Sequence, residues 1–277
     1  MKLIESKAEL IPQLFGINGV YKQIELAGRT CYKSEDKITE TSSKNFVERM
    51  IYSKHTAMLE HGTVYLKKEV DWSSDEYVLF ENFFRRNKYS EVNVVNKTIY
   101  VTTNYRVLVE NDATVYTVYI CAPTEFHKKR YTMRFITDRG ISHELVRHRA
   151  FSFAQESTRY CNYTKGKFNN ELTFIIPFWY NNYTYNDKDF VDFLKNVEDN
   201  YKAAIAAGAT SQEARQILPN ALKTEIVMTG FVDDWIHFFN LRWKGTTGKP
   251  HPDMAILAKK ALEEFEKANV KEIIDII

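Results

Sequence analysis

Tyr131-Thr132-Met133-Arg134-Phe135-Ile136-Thr137-Asp138-Arg139-Gly140-Ile141-Ser142-His143-Glu144-Leu145-Val146-Arg147-His148-Arg149 is the stretch from which the rest of the chain can be ordered. Tyr131, Met133 and Phe135 keep the two-residue alternation of a half-buried strand. Asp138-Arg139-Gly140 breaks it, and Ser142 is placed to start a short helix ending at Arg147. The Arg-His-Arg triplet therefore follows a strand-turn-helix unit.

After seven intervening residues come Ser157-Thr158-Arg159, beside Gln155 and Glu156. Three guanidiniums, an imidazole and a hydroxyl in one short segment are enough donors to surround a phosphate and the edge of a planar ring. A basic helix face solvated by water is the plain alternative. Against it stands Ala150-Phe151-Ser152-Phe153-Ala154, apolar apart from one hydroxyl. Arginines beside such walls are costly to desolvate without an anion, so the segment reads as one side of an anion-binding pocket.

Outward from this segment, the 277 residues carry 38 basic and 36 acidic side chains, and 44% are apolar. That is enough to bury a substantial core. A net charge of +2 gives no global field for nucleic acid, so an anion has to be held by a local cluster. Cys31, Cys121 and Cys161 are widely spaced and form no CxxC pair, which argues against a disulfide scaffold and a structural zinc site. The charged start, Met1-Lys2-Leu3-Ile4-Glu5, and the lack of an apolar run of about 20 residues lead to the expectation of a cytoplasmic protein without a membrane partner.

Upstream, Thr41 to Ser43 can cap a helix with Phe46, Val47, Met50 and Ile51 on one face, running toward His55. Val64 and Leu66 alternate with Tyr65 and Lys67 as in a strand, so His55 and Glu60 flank a helix-to-strand junction. From about Glu91 to Pro123 the chain is rich in Val, Thr, Tyr and Ile, with a turn at Asn96-Lys97, and predicts two or three antiparallel strands. Downstream, Phe190 to Ile205 keep helical spacing up to Gly208. Ser211 can cap a helix carrying Arg215, Thr224 to Met228 alternate, Asp233-Asp234 can open a helix from Trp235 to Arg242, and a last helix runs from Asp253 to about Ala268. Tyr180 to Asn186 reads as a loop. The fold class expected is a single mixed α+β domain over 1–277, a largely antiparallel sheet flanked by helices, with a β-rich insertion at about 67–135.

Three motif readings fail on spacing. His143-Glu144-Leu145-Val146-Arg147-His148 places its histidines five apart, whereas a zinc-protease helix needs four; no metal site is expected. Gly245-Thr246-Thr247-Gly248-Lys249-Pro250 is too short for a phosphate loop, and no GxGxxG occurs. Ser157 has no triad context and is read as a ligand-binding hydroxyl. The three cysteines are read as core or wall residues.

Arg147-His148-Arg149, seven residues, Ser157, one residue, Arg159 resembles the signature of flavin-dependent thymidylate synthases, the thymidylate synthase complementing protein family. Further blocks resemble that family in order: Ala27-Gly28-Arg29-Thr30-Cys31-Tyr32, His55 with Glu60, Ala214-Arg215-Gln216-Ile217-Leu218-Pro219, and Trp235 to Arg242.

The resemblance implies reductive methylation of dUMP to dTMP, with methylenetetrahydrofolate as carbon donor and FAD reduced by NADPH as hydride source. It implies dUMP contacts from Glu144, Arg147, Gln155, Glu156, Ser157, Thr158, Arg159, Arg215 and Arg242. FAD contacts are implied for His55, Arg147, His148, Arg149, Ala150, Gln155 and His237, with Arg242 as the catalytic residue beside uracil N3. A homotetramer with sites between subunits follows by the same resemblance. This chain departs where family members commonly carry Gln, at Glu144, whose carboxylate is placed to pair with Arg147 or His148 along the helix. It departs also at Ala154-Gln155 and at Phe231 to Asp233, where Asp233 could hold His237 at i,i+4.

Two other readings compete. A nucleic-acid-binding module could use Arg147, Arg149 and Arg159 with Tyr160 and Tyr163, but the balanced charge weighs against nucleic acid. A flavoprotein reductase of another specificity would keep FAD and ignore dUMP.

Overall fold

The strand Lys223–Phe231 is buried along nearly its whole length, from Thr224 to Gly230, and both of its edges are paired. The structure is a computed structural model that describes residues 1–70, 76–180 and 187–277. In chain order it contains β1 (Lys2–Ile4), β2 (Lys7–Ile11), α1 (Gly16–Tyr32), α2 (Ser42–Tyr52), β3 (Thr63–Glu69), α3 (Glu76–Arg85), β4 (Glu91–Val95), β5 (Thr98–Asn104) and α4 (Tyr105–Glu110). There follow β6 (Arg130–Asp138), α5 (Arg139–Leu145), β7 (Ser152–Gln155), β8 (Thr173–Ile175), α6 (Asp187–Ala206), α7 (Ser211–Ala214), β9 (Lys223–Phe231), α8 (Val232–Arg242), α9 (Pro252–Lys267) and α10 (Lys271–Ile274).

The main sheet has the order β2-β6-β9-β7 and is antiparallel throughout. Met133 and Phe135 of β6, with Ile226 and Met228 of β9, face Trp235, Phe238 and Phe239 of α8 and Leu257, Ala261 and Phe265 of α9. This aromatic core fixes α8, because Trp235 also donates its indole N–H to the Tyr131 carbonyl at 3.2 Å. The mixed α+β expectation thus describes the fold: antiparallel sheets flanked by helices. No helix among the described residues is long and apolar enough to cross a membrane.

The segment between Glu60 and β6 forms a second antiparallel sheet, β3-β5-β4. Asn96 and Lys97 make its hairpin turn, both at positive φ, 46° and 63°, as a two-residue turn between twisted strands requires. A third strand after β5 does not form. The Asn104 side chain accepts from the Val107 N–H at 3.2 Å and starts α4, and Thr114–Tyr119 is a 3-10 helix. The expected insertion also overshoots at its end, since Arg130 to Phe135 lie in β6 of the main sheet. Strand β5 is buried on both faces, its apolar side joining the core that Val20 and Ile24 of α1 share with Phe46, Val47 and Met50 of α2.

Helix α6 packs over β8 and the Tyr163 region and ends as expected before Gly208, at φ 99°. The loop expected at Tyr180 to Asn186 lies, apart from Tyr180, outside the described residues.

Candidate active site

The turn after β6 is set by Asp138. Its carboxylate accepts from the Ile141 N–H at 2.8 Å and caps α5, so the helix begins at Arg139, three residues before the expected Ser142. The Arg139 N–H donates to the Asn220 and Leu222 carbonyls at 2.9 and 3.0 Å, which ties α5 to the entry of β9. The helix is two turns long and releases Arg147-His148-Arg149 at its C-terminal end.

There His148 is buried, its ring edge-on to Phe238 at 5.1 Å and to His237 and Phe151 at 6.3 Å. Phe151 in turn lies on Gly230 of β9, where a Cβ would come within 2.4 Å of the ring. The glycine is required by this close approach. It lets the aromatic wall settle directly on the sheet and aims the preceding residues at α8.

Arg242 occupies the last position of α8. Its Nη1 donates to Glu144 Oε2 at 2.7 Å, its Nη2 to the Glu144 carbonyl at 3.3 Å, and its Nε to His148 Nε2 at 2.9 Å. Glu144 therefore pairs across the site with Arg242, not along its own helix with Arg147 or His148. His148 accepts at Nε2, so its proton resides on Nδ1. Burial pushes the imidazole down to about 4, with the Arg242 guanidinium and His237 adding to the effect, and it is neutral at neutral pH.

Arg147, His148, Arg149, Ala150, Phe151, His237 and Arg242 share one cleft of about 300 Å³, closed off by Asp234 and Leu241. Arg147 and Arg149 are exposed, and among the described residues no carboxylate approaches either within 4.0 Å. A cleft with two free guanidiniums, a neutral imidazole and an aromatic wall has the chemistry to hold a pyrophosphate attached to a planar ring. Asp233 does not hold His237; it pairs with Lys128 at 2.6 Å, while Asp234 accepts from the Phe231 N–H at 3.0 Å and caps α8.

The remaining candidates lie elsewhere. Ser157 and Arg159 sit beyond β7, where Ser157 N–H donates to the Cys31 carbonyl at 3.0 Å and Arg159 Nε to Gln212 Oε1 at 3.1 Å. That contact brings Arg159 to α7, just before the exposed Arg215. Thr158 is buried. Gln155 points its amide inward, donating to Ser142 Oγ and Thr224 Oγ1 at 2.8 and 3.2 Å. Glu156 is also turned in, 1% exposed, and its carboxylate accepts from Lys223 at 2.9 Å. His55 is exposed ahead of the 3-10 helix Thr56–His61. None of these lines the cleft.

Two features had no reading in the sequence. His61 is fully buried, bonded through Nδ1 to Thr229 Oγ1 at 2.8 Å. Lys223 and Lys33 both hold Glu225, at 2.6 and 2.8 Å; burial alone would raise that carboxyl, and the two ammoniums pull it down to about 2. Lys223 and Glu225, two apart on one strand, were the available signal for this network. The cysteines are free thiols, and burial pushes Cys31 up to about 11 and Cys161 to about 12, the condition of inert wall residues.

Residues 122–269 match the family model described as thymidylate synthase complementing protein. This span includes the whole cleft and more than half of the chain. The chain belongs to this family. Among relatives, the flavin-dependent thymidylate synthase of Pyrococcus furiosus is 35% identical over 133 residues, 47% of this chain and 51% of that protein. The enzyme of the same description from Geobacter sulfurreducens is 34% identical over 104 residues, 38% and 43% of the two chains. That of Corynebacterium aurimucosum is 24% identical over 252 residues, 87% and 75%. The chain thus spans about half the length of the first relatives it matches. The UMP/dUMP methylase PolB from Streptomyces cacaoi aligns with a TM-score of 0.45 at 15% identity, over 100% of this chain and 94% of that one, a likeness too low to carry an argument.

Proposed function

We propose that the protein is a flavin-dependent thymidylate synthase, one domain over 1–277, that methylates dUMP to dTMP in the cytoplasm with methylenetetrahydrofolate, NADPH and FAD. The observation that carries this reading is the convergence of Arg147, His148, Arg149, His237 and Arg242, from two separate family blocks, on one cleft. Bound flavin supplies the hydride for the pyrimidine ring. The residues of the chain bind and orient.

In this reading Arg147, Arg149, Ala150, His148 and His237 hold the flavin, the two free arginines at its phosphates. Arg242 meets the uracil ring at N3. A planar guanidinium held in place by Glu144 and His148 is already positioned, and its positive charge would stabilise negative charge developing on the pyrimidine. Its bond to Glu144 must loosen or share as the ring arrives. Ser157, Thr158, Arg159 and Arg215 would together hold the nucleotide phosphate. Because these four residues and His55 do not line the cleft, the reading requires another copy of the chain to complete each site, in keeping with a homotetramer. Gln155 and Glu156, both turned into the protein, would contact ligands through their backbone.

The purified protein, or the protein mixed with FAD and freed of excess, should show a flavin absorption band. Arg149→Ala, which removes one free cation from the cleft, should weaken FAD binding at least tenfold. A folded protein that never retains flavin contradicts the proposal.

A further inference from the structure

Ser157 is held through its backbone. Its N–H donates to the Cys31 carbonyl at 3.0 Å, its carbonyl accepts from the Cys161 N–H at 2.9 Å, and its hydroxyl accepts from the Arg159 N–H at 3.2 Å. The Ser157 hydroxyl and the Arg159 backbone are therefore one bonded unit, and what fixes Ser157 fixes both. Two restraints reach it, one through the preceding residue and one through the end of α1.

Glu156 is engaged at every polar group. Its N–H donates to the Glu225 carbonyl at 2.8 Å, and its own carbonyl accepts from Arg139 Nη1 at 3.4 Å. Its carboxylate accepts from the Tyr163 hydroxyl at 3.3 Å and from Lys223 at 2.9 Å. A carboxylate with 1% of its side chain exposed has to be paired. Lys223 shares its ammonium between this group and Glu225, at 2.6 Å. On the other path, Cys31 lies two residues before Lys33, whose ammonium reaches the same Glu225 at 2.8 Å. Both restraints on Ser157 end on one carboxylate.

The backbone at Lys33 points the same way. Lys33 closes α1 at φ 48° and ψ 53°, in the left-handed region that glycine adopts without steric cost. A glycine would suit that conformation better, yet would not supply the ammonium that binds Glu225 and Glu35. Lys33, Glu156, Lys223 and Glu225 face a cavity of about 340 Å³ and none of them lines the cleft. Whatever they do for the reaction passes through the segment they hold.

We propose that Glu225 is a positioning residue for the nucleotide, an assignment that rests on the phosphate-binding role given to Ser157 and Arg159. By holding Lys33 and Lys223 together, its carboxylate pins the end of α1 to the segment before Ser157 and so sets the groups that receive the phosphate.

Glu225→Gln and Lys33→Gly test this on the flavin-loaded protein. The first removes the charge on which both restraints end. The second removes one ammonium while suiting the left-handed backbone, and should fold even where the first does not. In both, amide hydrogen exchange should quicken about tenfold or more over residues 156–161 and stay unchanged in α8. The KM for dUMP should rise about tenfold or more with kcat within about twofold, because phosphate contacts bind ground and transition states alike. Unchanged exchange over 156–161 in either folded variant would overturn the inference. Faster exchange with an unchanged KM, or a fall in kcat at constant KM, would overturn it too. A parent protein that converts no dUMP would defeat the proposed activity instead, and exchange would still decide whether Glu225 holds Ser157.

Discussion

Arg242 and Glu144, 98 residues apart in sequence, form an ion pair at 2.7 Å whose guanidinium also donates to His148. The pair is partly exposed, 20% and 32% for the two side chains, so its contribution to stability is modest, about 1 kcal/mol at most. Its weight is in function. The same guanidinium that the proposed reaction needs at the uracil ring is already neutralised by a carboxylate.

It follows that Glu144→Gln should release positive charge toward the nucleotide. Binding of dUMP, measured by calorimetry on the flavin-loaded protein, is expected to tighten about three- to tenfold, the equivalent of roughly 1 kcal/mol. Weaker binding would show that the carboxylate contacts the substrate directly.

Arg242→Ala should abolish thymidylate formation while flavin remains bound, with a loss in kcat of about 10²- to 10³-fold, as for removal of one preorganised donor from a transition state. Arg242→Lys should rescue poorly, because an ammonium lacks the planar fork that reaches Glu144 and His148 together. Full activity in either variant contradicts the role given to Arg242.

Gly230→Ala tests how the sheet positions the cleft. A methyl there meets the Phe151 ring at 2.4 Å, and Phe151 packs against both His148 and Trp235. The ring must move, at a cost of about 1 to 3 kcal/mol in urea unfolding. Flavin affinity should fall with it, whereas a variant of unchanged stability and affinity would show that the wall is compliant.

Acid stability should report His61. Burial, with Arg130 nearby, lowers its pKa from 6.5 to about 3. The unfolded chain takes up this proton below 6.5 and the folded one does not, so the stability is complete above that pH and lost as pH falls toward 3. His148 acts in the same direction, down to about 4. His61→Asn keeps a group for Thr229 and removes one titration. The fall in unfolding free energy between pH 6.5 and 4 should become shallower by about 1.4 kcal/mol per pH unit. An unchanged slope would mean that His61 is protonated in the fold.

The sequence made some of this legible and concealed the rest for physical reasons. Strand β6, helix α2 and helix α8 could be read because each buries one apolar face at a regular period. Helix α1 could not. It contains Gly19 and Gly28, and it buries Gln23, Glu25, Arg29 and Thr30, so its inward face is not apolar; Glu25 and Arg29 satisfy each other there at 2.9 Å. Of the two or three strands read between Glu91 and Pro123, two form; after β5 the Asn104 side chain caps α4, so the β-rich composition beyond it does not extend the sheet. In the cleft, Arg147, His148, Arg149, His237 and Arg242 were all nameable from motifs. The Glu144–Arg242 pair was not, since local spacing offered only partners on the same helix.

The most direct test of the central claim is the formation of dTMP by the purified protein supplied with FAD, dUMP, methylenetetrahydrofolate and NADPH, compared with reactions lacking each in turn. Product from the complete mixture alone, with NADPH oxidised in step, is the result predicted. NADPH oxidation that proceeds with flavin yet yields no dTMP from dUMP and methylenetetrahydrofolate would contradict it.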